Sequence, residues 1–161
     1  EKMGYSTFTK HAAEAGVDGV LVVDLPPEEG HDFLLEMKAN NLDSVYLIAP
    51  TTTDDRIKSI CDASSGYVYY VSVKGVTGSA SLDVTSVAEK LAIIREKSDI
   101  PVGVGFGIKD AESAAAVSNV ADGVIVGSVI VNTIAENVGD HAAIISKVSS
   151  LVSSMRQAMD A

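Results

Sequence analysis

The sequence predicts an α/β fold in which helices cover a parallel β-sheet. Near-continuous apolar segments recur at intervals of ~20 to 35 residues, five times, and a segment of helical character follows each one. Strands that are apolar on both faces are typical of parallel sheets, because helices cover both sides. No low-complexity linker interrupts the 161 residues, so we expect a single domain over residues 1–161.

The five predicted strands are rich in Val, Ile, Leu or Tyr, and a proline or glycine follows each within three residues. They are, in chain order, Gly19–Leu25, Ser44–Ala49, Tyr67–Ser72, Val102–Phe106 and Gly123–Val126. Asp24, near the end of the first strand, is the strongest local candidate for an acid. A structural hydrogen-bonding role near Pro26 is the alternative.

Helical segments lie between and around these strands, and several begin at an Asp or Thr whose side-chain oxygen can cap the first turn. They cover Tyr5–Ala15, Glu28–Asn40, Asp54–Ala63 after Thr53, a stretch from Asp83 or Thr85 to about Lys97, a helix capped by Asp110, Ser128–Ile134 and Asp140–Met159. Glu28 and Glu29 fall in a predicted first turn, where the helix dipole favours negative charge.

Two glycine-bearing strand ends form the clearest functional feature. The fourth strand runs into Gly105-Phe106-Gly107, and the fifth runs into Gly127-Ser128. Glycine lets a ligand approach the backbone N–H groups closely, because no Cβ blocks the way. The short helix after Gly127 directs its positive end to the same place, so the sequence predicts a phosphate site there.

The position of this site favours part of a (β/α)₈ barrel over an open doubly wound sheet. Phosphate sites of such barrels lie in the loops after strands seven and eight. A dinucleotide-binding motif would instead place GxGxxG after an early strand. A complete barrel has eight units and ~250 residues, so five units predict a partial TIM (β/α)₈ barrel.

Composition excludes several classes of function. The net charge is −10 without a basic run, which argues against nucleic-acid or anionic-membrane binding. Cys61 is the single cysteine, so neither a disulfide nor a thiol-based metal site is predicted. No apolar run is long enough for a membrane span or a signal peptide. We expect a cytoplasmic protein, or a plastid one if the source is a plant.

The segments GYVYYVSVKGVTG, PVGVGFGI and DGVIVGSVIV resemble the tryptophan synthase alpha chain family, from its fourth strand to its C-terminus. GVDGVLVVDLPPEE resembles that family's fourth strand and the start of the next helix, so the resemblance covers essentially the whole chain. It implies a lyase of tryptophan biosynthesis that cleaves indole-3-glycerol phosphate to indole and glyceraldehyde 3-phosphate. It also implies a β-subunit partner in an alpha/beta hetero-oligomer; pyridoxal phosphate belongs to that partner, and this chain is expected to need no cofactor.

The resemblance implies substrate-binding roles at matched positions. Gly107, Gly127 and Ser128 match phosphate-binding residues, Gly78 joins them from a loop, Tyr69 and Phe106 line the indole pocket, and Thr77 closes over the substrate. That loop, residues 74–81, is expected to be mobile without ligand. The family's two catalytic carboxylates belong to a segment that these residues do not include, so no catalytic residue is predicted here.

The chain starts at Glu1 rather than Met and lacks counterparts of three barrel strands, so we expect the C-terminal portion of a larger barrel. On its own it is expected to be inactive. Two alternatives stay open at this point. One is another phosphate-binding TIM-barrel enzyme of amino-acid or thiamine metabolism, and the other is a non-catalytic half-barrel that binds phosphate or a partner.

Overall fold

The computed structural model describes residues 2–72, 83–105 and 107–161. Five strands alternate with helices over these ranges. The strands are β1 (Gly19–Leu21), β2 (Asp43–Ile48), β3 (Val68–Val71), β4 (Val102–Gly105) and β5 (Gly123–Ile125). The helices are α1 (Tyr5–Glu14), α2 (His31–Ala39), α3 (Asp54–Ala63), α4 (Val84–Lys97), α5 (Ala111–Ser118), α6 (Ser128–Ala135) and α7 (His141–Met159).

The strands follow one another in the sheet in chain order, β1-β2-β3-β4-β5. The register is parallel where β1 pairs with β2 and where β4 pairs with β5. A helix lies between each pair of successive strands, which is the topology of consecutive βα units in a TIM barrel. The predicted fold class is confirmed.

The chain divides into two compact units, Glu1–Tyr69 with Ile93–Pro101 and Tyr70–Ala92 with Val102–Ala161. In the first unit, Phe33, Met37 and Leu42 form a buried apolar cluster around α2. The Tyr5 ring lies 5.1 Å from the Phe33 ring, centroid to centroid, and so ties α1 to this cluster. Asn40 adds a polar link, since its Nδ2 donates to Thr9 Oγ1 at 3.1 Å.

The second unit is built around the pair β4 and β5. Every residue of β4 is buried. The N–H of Val102 donates to the Asp122 carboxylate at 2.9 Å, and the N–H of Asp122 donates to the Val102 carbonyl at 3.1 Å. This reciprocal pair joins the start of β4 to the residue before β5 and fixes the register Gly103↔Gly123. Helix α7 packs against α5 in the same unit.

Most predicted boundaries are confirmed to within one residue, but the segment from Val22 to Gly30 was predicted wrongly. Strand β1 ends at Leu21 rather than Leu25, and α2 begins at His31 rather than Glu28. Glu28 and Glu29 therefore lie in a turn before the helix, in which the N–H of Glu29 donates to the Pro26 carbonyl at 3.0 Å. Their expected place in a first helical turn is wrong.

The structure resolves which residue caps α4. Asp83 caps α4, because its carboxylate accepts from the N–H groups of Thr85 and Ser86 at 3.1 and 3.2 Å. Cys61 is buried in α3 as a small apolar residue, and burial raises the pKa of its thiol. None of the helices within the described ranges is long and apolar enough to cross a membrane.

The cap of α5 generates a prediction about stability. Ser113 donates to Asp110 Oδ1 through its hydroxyl at 2.6 Å and through its N–H at 2.8 Å, which lowers the pKa of Asp110. Replacing this residue, Asp110→Ala, should lower the free energy of unfolding by about 1 kcal/mol in urea titrations. The exposed Asp99, changed to Ala, is the control and should have little effect.

The charge of this cap can be tested separately with Asp110→Asn, which keeps an acceptor. Because folding lowers the pKa of Asp110, its charge stabilises the protein above the pKa of the unfolded chain. That contribution disappears as the pH falls through the lower, folded-state pKa. The wild type should therefore lose its advantage over Asp110→Asn in acid, and an advantage that persists unchanged there would contradict the assignment.

Candidate phosphate-binding site

The register of β4 and β5 aligns the two glycines of the predicted site. Gly105 is paired with Ile125, the last residue of β5, and the two strands run in the same direction. Gly107 and Gly127 each lie two residues beyond these partners, so both follow strands at the same edge of the sheet. The backbone at Gly107 has φ +78°, in the left-handed region that favours glycine.

Gly127 is the N-cap residue of α6, and the surrounding space is open. An ideal Cβ built on Gly127 would find no other atom within 4 Å. The Gly127 carbonyl accepts from the N–H groups of Ile130 and Val131 at 2.9 and 3.1 Å, which starts the helix. The earlier N–H groups, those of Ser128 and Val129, have no intrahelical acceptor and point out of the helix end.

The electrostatics of this helix end suit an anion. Asp110 and Asp140 cap α5 and α7 with carboxylates that accept from Ser113 and Ala143 N–H groups. In α6 a glycine occupies the same position and the first turn carries no acidic residue. The positive end of the α6 dipole is therefore not neutralised by a cap, and such an end with accessible N–H groups binds phosphate.

Tyr69 lies on β3 with its side chain half-buried, whereas Val68 and Tyr70 on the opposite face are fully buried. Burial raises the pKa of the Tyr69 hydroxyl, and the neighbouring Tyr67 adds to the rise, so the hydroxyl is neutral at physiological pH. A neutral, partly accessible phenol is suited to lining a pocket for an apolar ring.

Three of the predicted site residues, Thr77, Gly78 and Phe106, lie outside the described residues, as does the loop 74–81. Ser72, just before that loop, is described. Its N–H and its hydroxyl both donate to the Gly105 carbonyl, at 3.1 and 2.8 Å. The end of β3 is thereby held against the end of β4.

Sequence reasoning missed a cleft of about 290 Å³ where β1 and β2 end. Residues of the turn after β1, including Asp24, line it together with Tyr46 and Arg56. Asp24 is exposed in this turn rather than in a strand. The sequence Pro-Pro-Glu-Glu-Gly over residues 26–30 was the signal available, because two prolines and a glycine favour a turn over a helix start.

Comparison with known proteins decides the family. The model of the family described as "Tryptophan synthase alpha chain" matches residues 1–160. This chain belongs to that family. The alpha chain of Thioalkalivibrio sulfidiphilus is 59% identical over 160 residues, which are 99% of this chain and 60% of that one. The chain therefore spans about three fifths of the length of this curated relative.

Solved structures of the tryptophan synthase alpha family share the fold. Subunit alpha from Legionella pneumophila superposes with a TM-score of 0.84 at 38% identity, covering 99% of this chain and 58% of that one. A chain of the tryptophan synthase α2β2 complex from Pyrococcus furiosus gives 0.84 at 31% identity, covering 97% and 62%. The resemblance noted in the sequence is confirmed.

The open helix end predicts a direct effect of substitution at Gly127. Gly127→Val should leave the chain folded, at a cost of no more than about 1 kcal/mol, because Val is a poorer N-cap residue than Gly. It should weaken binding of inorganic phosphate about tenfold or more, since two methyl groups enter the space that the anion needs. NMR titration of the amide signals of Gly107, Gly127 and Ser128 measures the phosphate affinity. Urea titration measures the change in the free energy of unfolding.

Gly123→Ala provides the control for this titration. Its new Cβ makes only an ordinary contact, 3.8 Å from the Gly103 Cα, at the opposite end of β5. Phosphate affinity should be unchanged in that variant. Signals that move only on another face, or equal affinity for the wild type and Gly127→Val, would contradict this site.

Proposed function

We propose that this chain forms part of a lyase of tryptophan biosynthesis that cleaves indole-3-glycerol phosphate to indole and glyceraldehyde 3-phosphate. Membership of the tryptophan synthase alpha family supports the pathway. The single structural observation that supports the substrate is the uncapped N-terminus of α6 beside Gly107 and Gly127. The substrate carries one phosphate, and this end of the sheet offers N–H groups for one anion.

In this proposal, binding of the phosphate group orients the substrate. The N–H groups at Gly127 and Ser128 bind phosphate oxygens, and Gly107 supplies the tight turn that completes the cradle. Holding one end of the substrate lowers the entropy cost of bringing the scissile bond to the reacting groups. The phosphate does not react, so its binding contributes through position alone.

The indole ring is proposed to lie against Tyr69 and Phe106, with Thr77 closing over the substrate and Gly78 adding to the phosphate contacts from the loop. The half-buried position of Tyr69 supports its part in this arrangement. For Thr77, Gly78 and Phe106, the support is the match of their positions to the family pattern.

Proton transfer is proposed to depend on residues that these 161 residues do not include. Cleavage of the bond between the ring carbon and the glycerol side chain needs an acid to protonate the ring and a base to deprotonate a hydroxyl. The resemblance assigns both roles to carboxylates on the second barrel strand and just after it. Asp24 is not a substitute in this proposal, because it lies in an exposed turn three residues beyond β1.

The proposed partner is a tryptophan synthase β subunit, which would receive the indole and carry pyridoxal phosphate. The α2β2 assembly of the Pyrococcus furiosus relative supports this proposal. Family membership favours this function over the alternative of a different phosphate-binding barrel enzyme.

A chimera tests the division of roles. The part of the Thioalkalivibrio sulfidiphilus alpha chain that precedes the matched region would be joined to residues 1–161, and indole release from indole-3-glycerol phosphate would be measured. The 161 residues alone should show no turnover above background, because each positioned acid or base contributes roughly 10²–10⁴-fold. The chimera should be active.

Two further variants separate substrate binding from chemistry. The chimera with Gly127→Val should have a raised KM, whereas the chimera with Gly123→Ala should match its parent. Turnover by the 161 residues alone would overturn the proposed absence of catalytic groups. A folded chimera without activity would point to a different substrate.

A further inference from the structure

The cleft at the ends of β1 and β2 has the make-up of a small-molecule site. Its volume of about 290 Å³ is just below the usual range for ligand pockets, about 300–1,000 Å³, and so suits a small ligand. Val22, Leu25 and Ile60 supply apolar walls. All of its lining residues belong to the first unit.

Tyr46 lines this cleft, although the residue as a whole is only 7% exposed. No hydrogen bond joins the hydroxyl to any other described residue. An ideal Cβ on Gly30 would come within 2.9 Å of this oxygen, so the glycine makes room for it. Since no buried side-chain oxygen or nitrogen among the described residues lacks a hydrogen-bond partner, the Tyr46 oxygen is accessible to solvent and can therefore bond a ligand.

Burial raises the pKa of Tyr46, and the Glu28 carboxylate raises it further. The hydroxyl is therefore protonated at physiological pH and can accept as well as donate a hydrogen bond. This acceptor capacity allows the hydroxyl to bond a donor group of a ligand.

The charges around the cleft do not balance. Arg56 binds Glu28 in a bidentate ion pair, with Nη1 to Oε1 at 2.9 Å and Nη2 to Oε2 at 3.3 Å. Asp24 also lines the cleft, and its carboxylate makes no ion pair or hydrogen bond with another described residue. One negative charge remains unneutralised, on a chain whose net charge is −10. Such a site repels anions and attracts cations.

We propose that this cleft binds a compact apolar amine in its ammonium form. The ring or alkyl body lies against Val22, Leu25 and Ile60, and the ammonium group donates to the Asp24 carboxylate and the Tyr46 hydroxyl. This assignment is independent of the phosphate site and of the reaction proposed above.

Benzylammonium is the probe, titrated into the full 161-residue chain and followed by NMR. Benzyl alcohol and benzoate have the same ring with a neutral and an anionic group, so they report the charge preference. Benzylammonium should bind more tightly than benzyl alcohol, and benzoate should not bind. Added salt should weaken the ammonium selectively, because the Asp24 charge is exposed.

Three variants separate the contacts. Tyr46→Phe keeps the ring and should weaken benzylammonium roughly three- to tenfold, the value of one hydrogen bond. Asp24→Asn should weaken it roughly two- to fivefold, the range of an exposed charge pair. Asp18→Asn makes the same charge change just before β1, at the opposite end of that strand, and should leave affinity unchanged.

Circular dichroism of Tyr46→Phe should match the wild type, because the hydroxyl bonds no described residue. Gly127→Val should bind benzylammonium normally, so loss of phosphate binding and loss of amine binding can be told apart. Equal affinity for benzylammonium and benzyl alcohol, equal effects of Asp24→Asn and Asp18→Asn, or no saturable shift of cleft signals would each overturn the proposal.

Discussion

The candidate phosphate site depends on the pairing of β4 with β5. The two reciprocal hydrogen bonds between Val102 and Asp122 fix where β5 begins relative to β4. A slip by one residue would turn the side chains of β5 to the opposite face and separate Gly107 from Gly127 along the strand direction. The Asp122 carboxylate at the start of β4 thus helps to determine that Gly107 and Gly127 follow their strands at the same level.

The start of β2 in the first unit is held in a comparable way. Ser65 Oγ donates to the Asp43 carboxylate at 2.8 Å and accepts from the Ser44 N–H at 3.0 Å. Ser44 in turn donates its hydroxyl to the Ala63 carbonyl at 2.6 Å. The starts of β2 and β4 are therefore both held by side-chain hydrogen bonds. Side chains also act at the other end of the sheet, where the Ser72 hydroxyl joins the end of β3 to the end of β4.

The sequence predicted elements well where local chemistry determines them. Helix α3 has the predicted bounds, although the Thr53 side chain makes no capping hydrogen bond there. Asp83 and Asp110 cap helices as expected. The failure over Val22–Gly30 has a tertiary cause. Val22, Val23 and Leu25 continue an apolar run, so the pattern predicts that the strand goes on. Where a strand ends depends on where it stops pairing with its neighbour, and hydrophobic pattern alone does not show that. Leu25 packs instead against the Phe33 cluster. Tyr46 was missed for a related reason, because a tyrosine inside a strand has the pattern of an ordinary core residue.

The two glycines of the candidate site are constrained by different forces. Gly107 has a positive φ, so any other residue there would pay about 1–2 kcal/mol of backbone strain whether or not a ligand exists. Gly127 has φ −129° and open space around it, so folding alone allows other residues there. In a gene copy released from selection for activity, Gly127 would drift early while Gly107 persisted.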